Sequence, residues 1–197
     1  MNTKDLGFCS KLVHAGAPED PYGSAVTPIY QTSTFSFESA DDGADRFAGR
    51  SGGFIYTRLG NPTIRALEDC VAELEEGAGA VATSSGMGAV TTAYLALLGG
   101  GDHLVSTAAV YGPSRTLMEK HLSRFGLSAT YVDTSDLGAV RAALRPETKM
   151  LYVETPSNPL MQITDLAAVA DLAHGRGIRL VVDSTFATPI CARPLVD

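Results

Sequence analysis

Little in this sequence ties it to a nucleic acid, a membrane or an oxidising compartment. Its 15 Lys and Arg are scattered and outnumbered by 22 Asp and Glu, for a formal net charge of -7. With no basic run to follow a phosphate backbone or an anionic surface, no nucleic-acid partner and no membrane partner is expected. Met1 to Ser10 mix Lys4 and Asp5 with polar residues and contain no apolar core of signal-peptide length, and no later segment approaches a membrane span. A cytoplasmic location is therefore the expectation. Cysteine is scarce as well: Cys9, Cys70 and Cys191 are odd in number, far apart and without a close second cysteine. That spacing argues against a disulfide framework and a cysteine-rich zinc site, and no metal site is expected. Each cysteine reads as a small buried hydrophobe.

What is present is ordinary for a soluble globular protein: 197 residues, 45% hydrophobic and 19% charged, enough for one large domain or part of one. The chain has no internal repeat, but its character changes near Asn61. Over residues 1–60, Gly, Pro, Ser and Asp punctuate short aromatic and β-branched pieces such as Ile29-Tyr30-Gln31-Thr32-Ser33-Thr34-Phe35. With no sustained helical period, this stretch reads as an extended arm.

From 61 to 197, helix and strand signals alternate. Asn61 can cap a helix opened by Pro62, with Leu67, Val71 and Leu74 on one face. A strand is predicted at 80–83, then helix 87–98, strand 103–106, helix 114–125, strand 128–132, helix 136–145, strand 149–153, helix 165–175 and strand 178–182. Short apolar strands such as Leu180-Val181-Val182 alternating with helices predict an α/β fold, a mainly parallel sheet sandwiched by helices. In such folds ligands sit beyond the carboxyl ends of the strands.

The strand ends carry the residues of interest. Ser84-Ser85-Gly86-Met87-Gly88 leads into a helix, either as a backbone cradle for a phosphate or as a tight turn. It has neither the Lys-Ser/Thr ending of a P-loop nor a complete Gly-x-Gly-x-x-Gly fingerprint. Tyr111-Gly112 opens the next helix, where the ring can stack on a flat ligand, pass a proton or simply pack. Glu154-Thr155-Pro156-Ser157-Asn158-Pro159 forms an irregular loop in which Asn158 can bond a ligand oxygen or merely shape a rigid turn. Asp183, directly after Val181-Val182, either caps a turn or holds a pyridine nitrogen protonated and so makes that ring an electron sink. Outside the sheet, Tyr56-Thr57-Arg58 offers a guanidinium and a phenol to a phosphate.

Taken in order, Leu12-Val13-His14-Ala15-Gly16, Pro28 to Phe35, Tyr56 to Thr63, Ser85-Gly86-Met87, Glu154 to Pro159 and Val182-Asp183-Ser184-Thr185-Phe186 resemble the Cys/Met-metabolism family of pyridoxal-phosphate enzymes. That family comprises cystathionine synthases and lyases, methionine γ-lyase and O-acylhomoserine sulfhydrylases. The resemblance implies the large domain of a fold-type I enzyme and pyridoxal 5'-phosphate as cofactor. It further implies that Gly86 and Met87 bind the phosphate through backbone N–H groups, while Tyr56 and Arg58 reach the phosphate of a neighbouring subunit. Tyr111 would stack over the ring and act in catalysis, Asp183 would pair with the pyridine nitrogen, Asn158 would lie near the ring hydroxyl and Thr185 beside the ring. Self-association as a dimer of dimers with shared active sites follows from the same likeness, as does a sulfur-containing amino-acid substrate.

Two departures stand out. The family's cofactor lysine lies in a Ser-x-Thr-Lys-like segment after one further strand, whereas Lys4, Lys11, Lys120 and Lys149 are the only lysines here and read as surface residues. The substrate-carboxylate arginine of the family's C-terminal domain is also missing. The chain is expected to be a fragment or one ordered piece of a longer protein; the alternative is a non-catalytic truncated relative that binds a phosphate ligand or serves as a partner subunit. Second, Pro113 follows Tyr111-Gly112 where methionine γ-lyases usually carry Cys. The arm, with Asp20-Pro21-Tyr22-Gly23 and Phe47-Ala48-Gly49, is nevertheless most similar to that of methionine γ-lyase. The implied reaction is γ-elimination from methionine or homocysteine, with γ-replacement on an acylated homoserine as the alternative.

Overall fold

A computed structural model describes residues 3 and 5–196, and the chain forms two compact units, Met1–Ala82 and Thr83–Asp197. Lys4 lies outside the described residues. No described helix is long and apolar enough to cross a membrane.

The first unit contains helices α1 (Phe8–His14), α2 (Ala40–Phe47) and α3 (Pro62–Leu74). Neither α1 nor α2 is announced by a sustained period. Helix α2 exists because Ser39 accepts the Asp42 amide, Asp41 and Asp42 occupy its positive end, and Arg46 pairs with Asp42 at 2.9 Å one turn on. Between these helices the chain is extended, and Thr34 bridges Tyr56 in antiparallel fashion.

Asn61 organises this unit. Its Oδ1 accepts the Thr63 amide at 2.9 Å as the cap of α3, while its Nδ2 donates to Tyr30 O at 2.8 Å and Thr57 Oγ1 at 3.1 Å. Thr63 Oγ1 donates to Pro28 O at 2.8 Å and accepts the Tyr30 amide at 2.9 Å. The motifs 28–35 and 56–63 are thus one hydrogen-bonded structure. The predicted inner face of α3 is only partly inner: Leu74 is buried, but Leu67 is 57% and Val71 39% exposed. The predicted strand at 80–83 does not form, and those residues run without regular structure.

The second unit is an α/β layer. Helix α4 (Gly86–Leu97) precedes β1 (His103–Thr107); α5 (Gly112–Thr116) precedes β2 (Ser128–Val132); α6 (Leu137–Ala143) precedes β3 (Thr148–Glu154); and α7 (Leu166–His174) precedes β4 (Arg179–Asp183). The strands form one parallel sheet in the order β2-β1-β3-β4. The single helix predicted at 114–125 begins earlier, at Gly112, and continues as a π turn over Leu117–His121 and a 3-10 turn over Leu122–Phe125. It ends at Gly126, whose φ of 85° closes the turn in a conformation that glycine adopts without strain.

Alternation along β3 builds two cores. Met150 and Tyr152 face Tyr94 of α4, Leu98 just after it, and Met118 and Leu122 of the α5 segment. Leu151 and Val153 face Val140 of α6 and Val169 and Ala173 of α7. A central strand buried on both faces must be a continuous apolar run, which is why Met150-Leu151-Tyr152-Val153 has no polar alternation. Each large apolar side chain buried here contributes about 1.5–3 kcal/mol relative to exposure.

The cysteines depart from expectation: Cys9 and Cys191 are exposed and Cys70 is half-buried. Cys9 lies on a helix with no buried residue, and the segment around Cys191 packs little apolar surface, so small size alone does not bury them. Lys120 and Lys149 are exposed, while Lys11 is partly covered, 3.9 Å from Glu73.

Candidate cofactor site

The carboxyl ends of β1, β3 and β4 and the amino end of α4 meet at a cavity of about 470 Å³. Six predicted site residues line it: Gly86, Met87, Tyr111, Asn158, Asp183 and Thr185. Tyr56 and Arg58 belong to the first unit and are not among its lining residues. There the Arg58 guanidinium lies 5.1 Å from the centroid of the Tyr56 ring, a cation–π contact that presents the two together.

Helix α4 brings backbone donors to the cavity. Ser85 Oγ accepts the Gly88 amide at 3.0 Å, and Ser85 O accepts that of Ala89 at 3.1 Å. The amides of Gly86 and Met87, at the first two helical positions, have no intrahelical acceptor. With the helix dipole behind them they suit an anion. A Cβ built on Gly86 would meet nothing within 4 Å, so that approach is open.

Opposite in chemistry is Asp183, the last residue of β4. Its Oδ2 accepts from the Tyr152 hydroxyl at 2.8 Å, and its Oδ1 accepts from the Thr185 amide at 3.2 Å and hydroxyl at 2.5 Å. Three donors thus fix the orientation of the carboxylate. Burial, with Asp183 beside it, pushes the Tyr152 phenol far above its ordinary value, so it remains a donor.

Tyr111 caps α5 and is 44% exposed, leaving its ring free at the wall. Its amide donates to Glu154 Oε2 at 2.7 Å, while the Asn158 amide donates to Glu154 Oε1 at 2.8 Å. Burial raises the Glu154 carboxyl above its usual range, and the two amide donors oppose that rise. Behind it lies a ladder of buried hydroxyls. The Glu154 amide donates to Thr107 Oγ1 at 3.1 Å, Thr107 Oγ1 lies 3.1 Å from Thr134 Oγ1, and Thr134 Oγ1 lies 2.7 Å from Thr164 Oγ1.

Sequence reasoning gave no role to Ser85, Tyr152 or Glu154. Glu154 did carry a signal: a carboxylate ending the most apolar strand of the sheet must find buried donors. Tyr152, inside the same run, is indistinguishable from packing until its hydroxyl is seen to reach a neighbouring strand.

Open amides at a helix start, a braced carboxylate and an exposed aromatic ring meet at the strand ends of an α/β unit, and the chemistry of these residues fits a pyridoxal-phosphate group. Comparison agrees: residues 9–196 match the family described as Cys/Met metabolism PLP-dependent enzyme. The chain belongs to this family. It is 47% identical over 200 residues to L-methionine gamma-lyase of Treponema denticola, covering 99% of this chain and 50% of that protein. It is 42% identical over 188 residues to O-succinylhomoserine sulfhydrylase of Pseudomonas aeruginosa, covering 95% and 47%. Among solved structures, metB from Corynebacterium glutamicum superposes with a TM-score of 0.90 at 41% identity, covering 99% of this chain and 49% of that one. The chain spans about half the length of the curated relatives it matches.

Proposed function

We propose that this chain is the cofactor-binding part of a pyridoxal-phosphate-dependent carbon–sulfur lyase that performs γ-elimination on methionine or homocysteine, releasing a 2-oxo acid, ammonia and a thiol. The observation that supports the cofactor part of this reading is the meeting, in one cavity, of the open Gly86 and Met87 amides with the Asp183 carboxylate and the Tyr111 ring; the choice of γ-elimination is supported by the similarity to L-methionine gamma-lyase of Treponema denticola. When bound, pyridoxal phosphate supplies the electron sink that stabilises negative charge at the substrate α-carbon.

The residues of this chain would bind and orient that group. Gly86 and Met87 hold the phosphate with backbone N–H groups. Asp183 keeps the pyridine nitrogen protonated, and Tyr152 and Thr185 hold that carboxylate in one orientation. Tyr111 stacks on the ring and delivers a proton to the departing sulfur. Asn158 donates to the ring hydroxyl, and Thr185 packs beside the ring. Tyr56 and Arg58 reach the phosphate bound by a neighbouring subunit, with residues 1–60 as the contacting arm and 61–197 as the amino-terminal part of the cofactor domain. The assembly is then a cytoplasmic dimer of dimers.

γ-Replacement, as in a cystathionine γ-synthase or O-acylhomoserine sulfhydrylase, is the second reading, supported by the similarity to the sulfhydrylase and by Pro113 after Tyr111-Gly112. The full-length protein should show a visible absorbance band that borohydride fixes onto a lysine. Incubation with methionine should yield a 2-oxo acid and a thiol. Turnover only with an acylated homoserine plus a thiol would select replacement, and no reducible band even with added cofactor would refute both.

A further inference from the structure

A single buried carboxylate ties together the two loops that carry the ring-facing side chains. Glu154 is 4% exposed and ends β3 directly across from Asp183 on β4. On β3, Met150, Tyr152 and Glu154 point to the same face. The first two fill the core beneath α4, so the third emerges where that core opens into the cavity. Its Oε2 accepts the Tyr111 amide at 2.7 Å and its Oε1 the Asn158 amide at 2.8 Å. Tyr111 lies 43 residues away and Asn158 four, so the link joins the loop after β1 to the loop after β3.

We propose that Glu154 is a positioning residue of the cofactor site, setting the Tyr111 and Asn158 loops in register so that both side chains meet the ring at fixed positions. This rests on the pyridoxal-phosphate reading above. The chemistry of the link demands a carboxylate of this length. Both partners are N–H donors, so both oxygens must accept, and an ionised carboxylate is the side chain with two acceptors and no donor. A glutamine can satisfy one loop but turns its NH2 toward the other, donor against donor. An aspartate keeps the charge but lacks the methylene needed to span both amides. An alanine leaves two amides at the cavity wall without their acceptor.

The experiment uses full-length holoenzyme carrying Glu154→Gln and Glu154→Asp, with hydrogen exchange followed in peptides covering residues 108–116 and 155–162. Loss of one bond to a charged acceptor should raise exchange in at least one of these peptides by about tenfold or more. The visible circular dichroism of the bound cofactor should change with it, because ring tilt follows the stacking tyrosine. A fall in kcat of about tenfold with little change in KM should accompany this if transition-state alignment is what is lost. The Asp variant should resemble Gln and not wild type; an Asp variant that behaves as wild type would mean that charge alone matters and would overturn the proposal. Faster exchange with unchanged cofactor dichroism and kcat would reduce Glu154 to a purely structural brace. Unchanged exchange in both peptides would remove even that. A wild-type protein that binds no pyridoxal phosphate refutes the cofactor reading and this role with it, while the exchange data still report separately on the loop link.

Discussion

The hydroxyl of Tyr152 donates to Asp183 Oδ2 at 2.8 Å, joining β3, two residues before its end, to the last residue of β4. Tyr152 is itself fully buried and stands edge-on to Tyr94, with ring centroids 5.1 Å apart. Replacing it by phenylalanine keeps the packing and deletes one donor. Tyr152→Phe should cost about 1–2 kcal/mol in urea unfolding. In the proposed enzyme it should also weaken cofactor affinity, measured by titration of the visible band, because Asp183 retains only its Thr185 contacts.

Ser85 separates folding from ligand binding at α4. Ser85→Ala removes the acceptor for the Gly88 amide and should lower stability by about 1 kcal/mol, whereas Ser85→Thr should retain most of it. Gly86→Ala is the complementary change. An added Cβ meets nothing within 4 Å of the chain, so thermal stability should be unchanged or slightly raised, while pyridoxal-phosphate affinity falls through crowding at the anion cradle.

Asn61→Ala should be among the costlier single changes in the first unit. It removes the α3 cap and the donor to Tyr30 O and Thr57 Oγ1 in one step, for about 2–3 kcal/mol by chemical denaturation. Asn61→Asp keeps the cap acceptor but loses both donated bonds, so its loss should be smaller than that of alanine and larger than zero. Proteolysis near residues 28–35 should quicken in both variants, since this segment is held by the same knot.

His103 gives the fold a sensitivity to acid. It is 1% exposed, with Nδ1 2.8 Å from Thr148 Oγ1 and Nε2 2.9 Å from Thr130 Oγ1. Burial, helped by Arg145 and opposed by Glu147, pushes its pKa below the ordinary 6.5. Because the folded value lies below the unfolded one, the neutral form is favoured in the fold. The associated stability is whole above 6.5 and is lost as pH falls through that value toward the folded pKa. Unfolding midpoints measured from about pH 7.5 to about pH 5.5 should fall more steeply for wild type than for His103→Gln.

The sequence by itself determined the layer architecture of the second unit, because a period of 3.6 in the helices and an uninterrupted apolar run such as Met150 to Val153 leave few ways to bury both faces of a strand. It also marked Gly86, Asp183, Tyr111 and Asn158, since strand ends in such a fold are where side chains escape the core. The start of α3 was legible for a local reason: Asn61 satisfies an amide two residues away.

Other features depended on partners distant in sequence. The run 80–83 looks like a strand but pairs with none, since pairing is a property of two segments and not one. Leu67 and Val71 share a helical face with Leu74, yet only contact with other elements decides how much of that face is covered. The roles of Tyr152 and Glu154 are not legible in the sequence, because hydrogen bonds reaching 31 residues to Asp183 and 43 residues to Tyr111 leave no periodic trace in the chain. Composition and spacing fix which residues can face a ligand; only the packed sheet decides which buried polar groups hold them there, because each such group must find its partner wherever the fold has brought one.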